Sequence, residues 1–242
     1  MVGIIADALA VIAGGIVGTL FGNRLPSDFI SKLNSAFGVC AMGMGVTSIV
    51  LLENLPVVIL AVVLGTVIGL AIRLESWITA GVSALQKPLN KVMGTYAGIG
   101  TPQNESLSLL ITAIVLFCAS GSGIYGSLDA GMLGNVSILL SKSILDFFTA
   151  MVFACNLGVV IPFIALPQTI IFLLLFWAAK GIFPLTTPGM IADFKACGGF
   201  LLLATGLRMA KIREFPVADM IPAMVLVMPL NAVWTAYIVP LL

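Results

Sequence analysis

Residues 55–72 read LPVVILAVVLGTVIGLAI, a run of eighteen residues without one charged side chain. As a helix, this run rises about 27 Å, close to the roughly 30 Å hydrocarbon thickness of a bilayer. Similar apolar runs of about 17–25 residues recur along the 242-residue chain, which is 60% hydrophobic and only 9% charged, with a mean hydropathy of +1.20. Soluble domains carry about 25% charged residues, so the surface of this protein is predicted to face lipid.

The apolar runs predict an all-α integral membrane protein of about eight transmembrane helices, in a single domain of residues 1–242. The runs lack the alternation of barrel strands, and only helices or closed barrels satisfy their backbone in lipid. No basic region precedes Asp7, which favours a first span over the alternative of a signal peptide. The predicted spans lie near residues 2–22, 36–52, 55–72, 107–125, 143–165, 167–183, 196–210 and 217–240.

The basic residues between these spans predict an outer N-terminus and an outer C-terminus. Inner connections of bacterial membrane proteins are enriched in Lys and Arg. With the N-terminus outside, Lys142, Lys180 and Lys195 fall on the outer side. The inner connections then hold Arg24, Lys32, Arg73, Lys87, Lys91, Arg208, Lys211 and Arg213.

The longest connection, residues 73–106, predicts a helix that lies in the inner membrane interface. Its apolar residues recur at helical spacing, and Trp77 is expected at the depth of the lipid headgroups. The stripe consists of Leu74, Trp77, Ile78, Gly81, Val82 and Leu85.

Two segments, residues 29–57 and 190–217, indicate an internal repeat in halves of about 1–106 and 107–242. Each is a short amphipathic lead-in, a span, a tight polar turn and a second span. In the alignment of the two segments, Gly38, Gly45 and Glu53 match Gly199, Gly206 and Glu214. The predicted topology inverts one copy relative to the other, as in many secondary transporters. The alternative is a chance similarity between glycine-rich apolar helices.

The sequence lacks the residue patterns that several classes of function require. The sequence contains no histidine, and its four cysteines lie inside apolar runs without CxxC spacing, so we expect no metal site, no cofactor and no disulfide framework. A net charge of +1 does not indicate the strongly basic surface that nucleic-acid binding requires. No nucleophile with a base and no phosphate loop is evident, so an enzyme is not expected.

Residues 121–134 carry five glycines around Asp129. Glycine in lipid marks either a close helix contact or a place where the helix stops. The density of glycine, with serine interleaved, favours an interrupted helix whose freed backbone groups line a cavity. The alternative places Asp129 in an exposed turn.

Lys142 and Asp146 are four residues apart, so they share a helix face with Thr149 and Asn156. A charge at the bilayer centre costs about 3 kcal/mol, and pairing offsets part of that cost. The face is therefore expected to turn inward. The alternative is that Lys142 snorkels to the membrane surface.

Other intramembrane polar residues have weaker signals. Asp7 is close to the N-terminus and is expected at the outer interface, whereas Gln168 and Asn231 are expected to form interhelical hydrogen bonds. Glu53 and Glu214 lie at span ends and are expected to be solvated. The glycines predicted to mark close helix contacts, within the chain or in a dimer, are Gly14, Gly18, Gly22, Gly65 and Gly69.

The stretch GSLDAGMLGNVSILLSKSILDFFTAMVFACNLGVVIPF, residues 126–163, resembles the signature region of a bacterial multi-pass membrane protein family, domain of unknown function 554, of the YqgA and YdfK type. The similarity extends to the glycine-rich first span and to the LENLPV and REFPV turns, so it covers nearly the whole chain. It implies the fold and a bacterial membrane location, and it names no substrate. The matching positions are 126–135, Lys142, Ser143, Asp146, Leu157, Gly158 and Val160.

Three positions depart from the pattern of that family. Asn135 stands where the family often has Asp, which removes a carboxylate from the candidate site. Asp7 stands where Asn is usual, and residues 167–169 read PQT where Tyr-Gln-Gly is common.

Together these observations favour an inner-membrane transporter or channel for a small polar solute or ion, with the lipid bilayer and that solute as partners. The alternative is a non-transporting structural or signalling protein, a homo-oligomer such as a homodimer, whose charges fix the helix register. The predicted substrate site, near the bilayer midplane where the repeats meet, consists of Asp129, Lys142, Asp146, Thr149, Gly38 and Gly199.

Overall fold

The computed structural model describes residues 1–21, 27–84, 110, 113–114, 116–118 and 120–241. Every regular element within these ranges is helical, which confirms the predicted all-α class. The helices are α1 (Val2–Phe21), α2 (Ser27–Ile49), α3 (Leu55–Ile72), α4 (Leu74–Ala84), α5 (Gly121–Leu133), α6 (Ser137–Leu157), α7 (Val160–Ile182), α8 (Pro188–Met209) and α9 (Pro222–Val233). A 3-10 turn, Phe183–Leu185, follows α7, while a π turn and a 3-10 turn, Trp234–Ile238 and Val239–Leu241, follow α9.

Six helices in the described part of the chain are long and apolar enough to cross a membrane. The predicted number of eight spans is not confirmed, and the larger part of the predicted span 107–125 lies outside the described residues. The six segments are Val2–Leu20, Leu55–Ile72, Ser137–Cys155, Val160–Leu185, Pro188–Met209 and Pro222–Leu241, and Ser35–Ile49 is a shorter apolar helix.

The predicted boundary between the spans 143–165 and 167–183 is wrong. Helix α6 ends at Leu157, and α7 begins at Val160 and continues through Pro167. The break lies at Gly158, whose φ of 64° is a conformation that other residues rarely adopt. Hydropathy does not detect this break because the residues on both sides of it are apolar.

The chain forms two compact units, each of which takes segments from both halves of the sequence. Unit one contains residues 1–34 and 76–178, and unit two contains residues 35–75 and 179–242.

In unit one, α1 and α6 run parallel and approach each other through glycine. A Cβ atom on Gly14 or Gly18 would meet the backbone carbonyls of Phe147 and Met151, which confirms the close contact predicted for these two glycines. Helix α7 runs antiparallel to α1, and a Cβ on Gly15 would lie 2.6 Å from Cδ of Pro162. Such approaches let backbones pack closely where lipid gives no hydrophobic drive between helices.

In unit two, α2 and α8 cross antiparallel with reciprocal glycine contacts. A Cβ on Gly38 would lie 2.6 Å from the carbonyl oxygen of Gly206, and one on Gly206 would lie 2.5 Å from that of Gly38. Gly45 and Gly199 form the second such pair, at 2.7 and 2.6 Å. Helices α3 and α9 also run antiparallel, because Gly65 lies against Ala223 and Gly69 against Asp219, as predicted for glycines that mark close contacts.

The predicted interruption of the helix around Asp129 is wrong. Helix α5 runs unbroken from Gly121 to Leu133. Ser120 caps its start, with Oγ accepting the Gly123 amide at 3.2 Å, and Gly134, with a φ of 71°, caps its end. The glycines inside it are packing positions: a Cβ on Gly126 would lie 3.1 Å from side-chain atoms of Ile138 and Leu139. The helical structure is therefore interrupted at residues 134–136, between α5 and α6, and not within α5.

The helix predicted in the connection 73–106 is present in part. Helix α4 covers residues 74–84, and Trp77 is 73% exposed. The rest of that connection lies outside the described residues, and the position of α4 in the membrane interface stays a prediction.

Candidate functional site

A buried polar cluster links three helices of unit one. Its members are Asp7 on α1, Lys142 and Asp146 on α6, and Gln168 on α7, and their exposed fractions are 0%, 1%, 9% and 1%. We refer to these four residues as the buried ion cluster.

One oxygen of each carboxylate faces the same two donors. Lys142 Nζ forms ion pairs with Oδ2 of Asp7 at 3.3 Å and with Oδ2 of Asp146. The amide Nε2 of Gln168 donates to the same Asp7 oxygen at 2.5 Å and to the same Asp146 oxygen at 3.3 Å. Lys142 and Gln168 thus both bridge α1 to α6 through the two carboxylates.

The helical register places Lys142 and Asp146 inside a candidate membrane span. Asp146 is the central residue of the apolar segment Ser137–Cys155, and Lys142 precedes it by one turn, or about 6 Å along the axis. Because Lys142 is 1% exposed, the alternative in which it snorkels to the surface does not hold. The prediction that this face turns inward is confirmed for Lys142 and Asp146.

Apolar and aromatic groups surround the Lys142 side chain. Its ammonium lies 5.4 Å from the ring centre of Phe172 and 6.0 Å from that of Phe117, within range of cation–π attraction. Helix α5 approaches through Gly123, where a Cβ would lie 3.0 Å from Cε of Lys142. The glycine leaves the space that the lysine stem and the Phe172 ring occupy.

Charge and hydrogen bonding are both incompletely matched in the cluster. When all groups are ionised, two carboxylates share one ammonium. Within the described ranges, the buried oxygens Asp7 Oδ1 and Gln168 Oε1 have no hydrogen-bond partner. Buried polar atoms are nearly always hydrogen-bonded, so these two acceptors are unusual.

The structure distributes the other predicted site residues differently. Thr149 Oγ1 donates to the Leu145 carbonyl at 2.8 Å, so its hydroxyl is bonded within α6. Asp129 is buried, and its Oδ2 accepts a hydrogen bond from Asn135 Nδ2 at 2.8 Å. Asn135 also accepts the Ser137 amide through Oδ1 at 3.1 Å, so it links the end of α5 to the start of α6.

The two remaining predicted site residues, Gly38 and Gly199, are helix contacts of unit two, and the side chain of Asn156 lies outside the described residues. The structure therefore brings together Lys142 and Asp146 from the predicted set. It adds Asp7 and Gln168 to them.

Asp7 is completely buried against α6 and α7, and its expected position at the outer interface stays a prediction. The expected interhelical hydrogen bond of Gln168 is confirmed. The sequence contains one feature that relates Asp7 to Gln168, namely their separation of 161 positions. Gly38 and Gly199, aligned in the predicted repeat, have the same separation.

Unit two contains a second buried carboxylate, Asp193, whose hydrogen bonds are satisfied. Its Oδ1 accepts the backbone amides of Glu53 at 3.0 Å and Asn54 at 2.8 Å, and its Oδ2 accepts Asn231 Nδ2 at 2.6 Å. Because Glu53 and Asn54 immediately precede α3, Asp193 holds the backbone at the point where that helix begins. The interhelical hydrogen bond expected of Asn231 is thereby confirmed.

Glu53 and Glu214, the glutamates at the span ends, are exposed, as expected.

Among the residues that the structure describes, no group of three or more His, Cys, Asp or Glu side chains is placed to hold a metal ion.

Comparison with known proteins places the chain in a family. The family model described as "Protein of unknown function (DUF554)" matches residues 2–232. The uncharacterized protein YqgA of Escherichia coli strain K12 is 46% identical over 238 residues, which cover 98% of this chain and 99% of that protein. The uncharacterized membrane protein YdfK of Bacillus subtilis strain 168 is 25% identical over 236 residues, 93% of each chain. No solved structure matches the chain. The protein therefore belongs to the DUF554 family.

Proposed function

We propose that this protein is a multi-pass transporter or channel of the bacterial inner membrane for a small polar solute or ion. The observation that carries the proposal is the buried ion cluster within three helices that are long and apolar enough to cross a membrane. Ionisable residues at such depth cost several kcal/mol, and they commonly mark pathways for ions and solutes.

An inverted repeat, which is frequent in transporters, has support from helix boundaries and sequence spacing. Helices α1 and α7 end at Phe21 and Ile182, and α2 and α8 begin at Ser27 and Pro188. Both pairs of positions have the separation of Asp7 and Gln168, 161 residues. On this basis we extend the repeat to three helices per copy, α1–α3 and α7–α9.

The contacts within each unit are those expected of such a repeat. In unit two, the contact of Gly38 with Gly206 has its counterpart in the contact of Gly199 with Gly45, as a two-fold relation requires. In unit one, α1 and α7 run antiparallel, and Asp7 contacts its own counterpart Gln168.

Two equivalent residues touch each other where a two-fold axis passes between them. The Asp7–Gln168 hydrogen bond accordingly supports a position of the buried ion cluster where the two repeats meet. Binding sites of transporters with inverted repeats are commonly found there, near the bilayer midplane.

Flux measurements with the reconstituted full chain test the proposal. Proteoliposomes are screened with small polar solutes and inorganic ions, and any active substrate is measured again with Asp146→Asn and Lys142→Ala proteins of equal abundance. The matched control is Lys32→Ala, because Lys32 forms an exposed pair with Asp28 at the same four-residue spacing. We expect flux to fall at least about tenfold in both cluster variants and to persist in the control. Unchanged flux in folded Asp146→Asn and Lys142→Ala proteins refutes the assigned site.

A structural or signalling role is the second candidate, since the buried ion cluster ties three helices together and can fix their register. For this role we expect a variant with apolar replacements, Asp7→Leu, Lys142→Met and Asp146→Leu, to fold and to complement a deletion strain. Loss of complementation by a folded triple variant argues against a role limited to register.

A further inference from the structure

We propose that the buried ion cluster binds one exchangeable monovalent cation in addition to the Lys142 ammonium, at the oxygen atoms Asp7 Oδ1 and Gln168 Oε1. The proposal deepens the transport function and rests on it for the role of the cation. Binding of the cation can be measured without knowledge of any transported solute.

The first support is the balance of charge. Lys142 supplies the ion pairs to both Asp7 and Asp146, so the ionised cluster carries one excess negative charge. Among the described residues, those that the structure places against the cluster on α5, on α7 and at residues 117–118 include no cation; they are Gly123, Gln168, Phe172, Phe117 and the Cys118 thiol. An uncompensated charge in an apolar interior is costly, and one added positive charge removes the excess.

The second support is the pair of acceptors without donors. Asp7 Oδ1 and Gln168 Oε1 have no hydrogen-bond partner among the residues described, and both side chains are at least 99% buried. A carboxylate oxygen and an amide oxygen are the ligand types that hard cations and protons bind.

The orientation of the Gln168 amide is fixed by its neighbours. Its Nε2 donates to oxygens of both Asp7 and Asp146. A flipped amide would place Oε1 against two carboxylate oxygens. An ionised carboxylate can accept hydrogen bonds but cannot donate one, so this contact would be repulsive. The two hydrogen bonds of Nε2 therefore fix the amide with Oε1 on the other side, where it has no hydrogen-bond donor among the described residues.

The charge balance favours a monovalent cation. One proton or one alkali-metal ion brings the total charge to zero, whereas a divalent ion would leave an excess positive charge. Calcium and magnesium sites also commonly use several carboxylates, and this cluster has only two.

The experiment uses the purified full chain in nanodiscs, in two arms that distinguish the source of the charge. In the first arm, thermal unfolding is followed during titration with NaCl or KCl, with choline chloride at equal ionic strength as the reference. A bound alkali ion gives a saturable rise of the unfolding midpoint that choline does not reproduce. We expect Asp7→Asn, which is nearly isosteric, to weaken this binding at least about tenfold.

In the second arm, the infrared carbonyl band of protonated carboxyl groups is recorded in choline buffer across a pH titration. A proton bound at Asp7 gives a band that Asp7→Asn removes. Either a saturable alkali effect or this band supports the proposal. If the unmodified protein shows neither, the proposal is refuted, independently of whether any variant folds.

The outcomes separate this inference from the transport proposal. Cation binding without flux of any tested solute or ion leaves the site in place and argues against transport. Flux with neither an alkali effect nor a carboxyl band leaves transport in place and removes the cation.

Discussion

Replacing Lys142 by methionine should destabilise the protein far more than replacing either of its carboxylate partners by asparagine. Methionine keeps most of the length of the side chain but leaves Asp7 and Asp146, at 0% and 9% exposure, without their shared ammonium. Breaking a buried ion pair by removing one partner costs about 3–5 kcal/mol. The lost attraction to the Phe117 and Phe172 rings acts in the same direction.

The Asp146→Asn change has a smaller expected effect because it leaves a neutral pair of Asp7 and Lys142. The amide can still hydrogen-bond, so we expect a loss of about 1–2 kcal/mol. The difference between the two variants is therefore about 1–4 kcal/mol, and about 2 kcal/mol corresponds to roughly a thirtyfold difference in the ratio of folded to unfolded protein.

Reversible unfolding of the detergent-solubilised protein, in a titration with SDS followed by circular dichroism, measures this difference. Lys32→Met is the matched control: its pair with Asp28 has the same spacing, but both side chains are more than 70% exposed, so we expect no measurable change. Equal destabilisation by Lys142→Met and Asp146→Asn, or no effect of Lys142→Met, would contradict the shared-ammonium geometry.

Three further predictions concern the helix contacts. Gly14→Ala should cost about 1–3 kcal/mol because its Cβ meets a backbone carbonyl of α6, whereas Gly43→Ala, with no atom within 4 Å of its Cβ, should be neutral; equal effects in the same SDS titration would contradict this packing. Asp193→Ala should cost about 1–2 kcal/mol, because the Asn54 amide at the start of α3 loses its acceptor, and hydrogen exchange there should accelerate. Gly158→Ala should cost about 1–3 kcal/mol, since alanine is strained at φ 64°; an unchanged unfolding midpoint would show that this break relaxes.

Much of the architecture follows from composition. Apolar length predicts α3 with its observed boundaries, because Pro56 near its start and the polar residues around it are strong local signals. The glycines that mark close contacts are also predictable, since only side-chain size matters there. Residues 121–134 show the limit of this reasoning, because glycine density has the same appearance in a packed helix as in a broken one. Contacts with α6, which lies later in the chain, make α5 a packed helix.

The candidate site was predictable in part for a similar reason. The four-residue spacing places Lys142 and Asp146 on one face of α6, and that relation is local. The partners Asp7 and Gln168 lie on other helices, 135 and 26 positions away from Lys142 in the sequence. Helical periodicity relates residues of one helix only, so it cannot predict these contacts. The place of Asp7 near the N-terminus favours the interface, although a helix that begins at Val2 carries Asp7 about 7 Å along the helix axis.

The proposed internal repeat relates Asp7 to Gln168 by sequence position, which local periodicity cannot do. An alignment that starts at Phe29 omits α1 and α7, the helices that carry both residues. Extending it to the N-terminus with the same offset aligns the acid Asp7 with the longer amide Gln168, which can donate a hydrogen bond where the carboxylate accepts one. In a two-fold arrangement, identical acids at these positions would repel each other if they met. An acid facing an amide instead forms the observed 2.5 Å hydrogen bond. In the proposed repeat, this difference between the two copies allows the Lys142-bridged cluster to form where the copies meet.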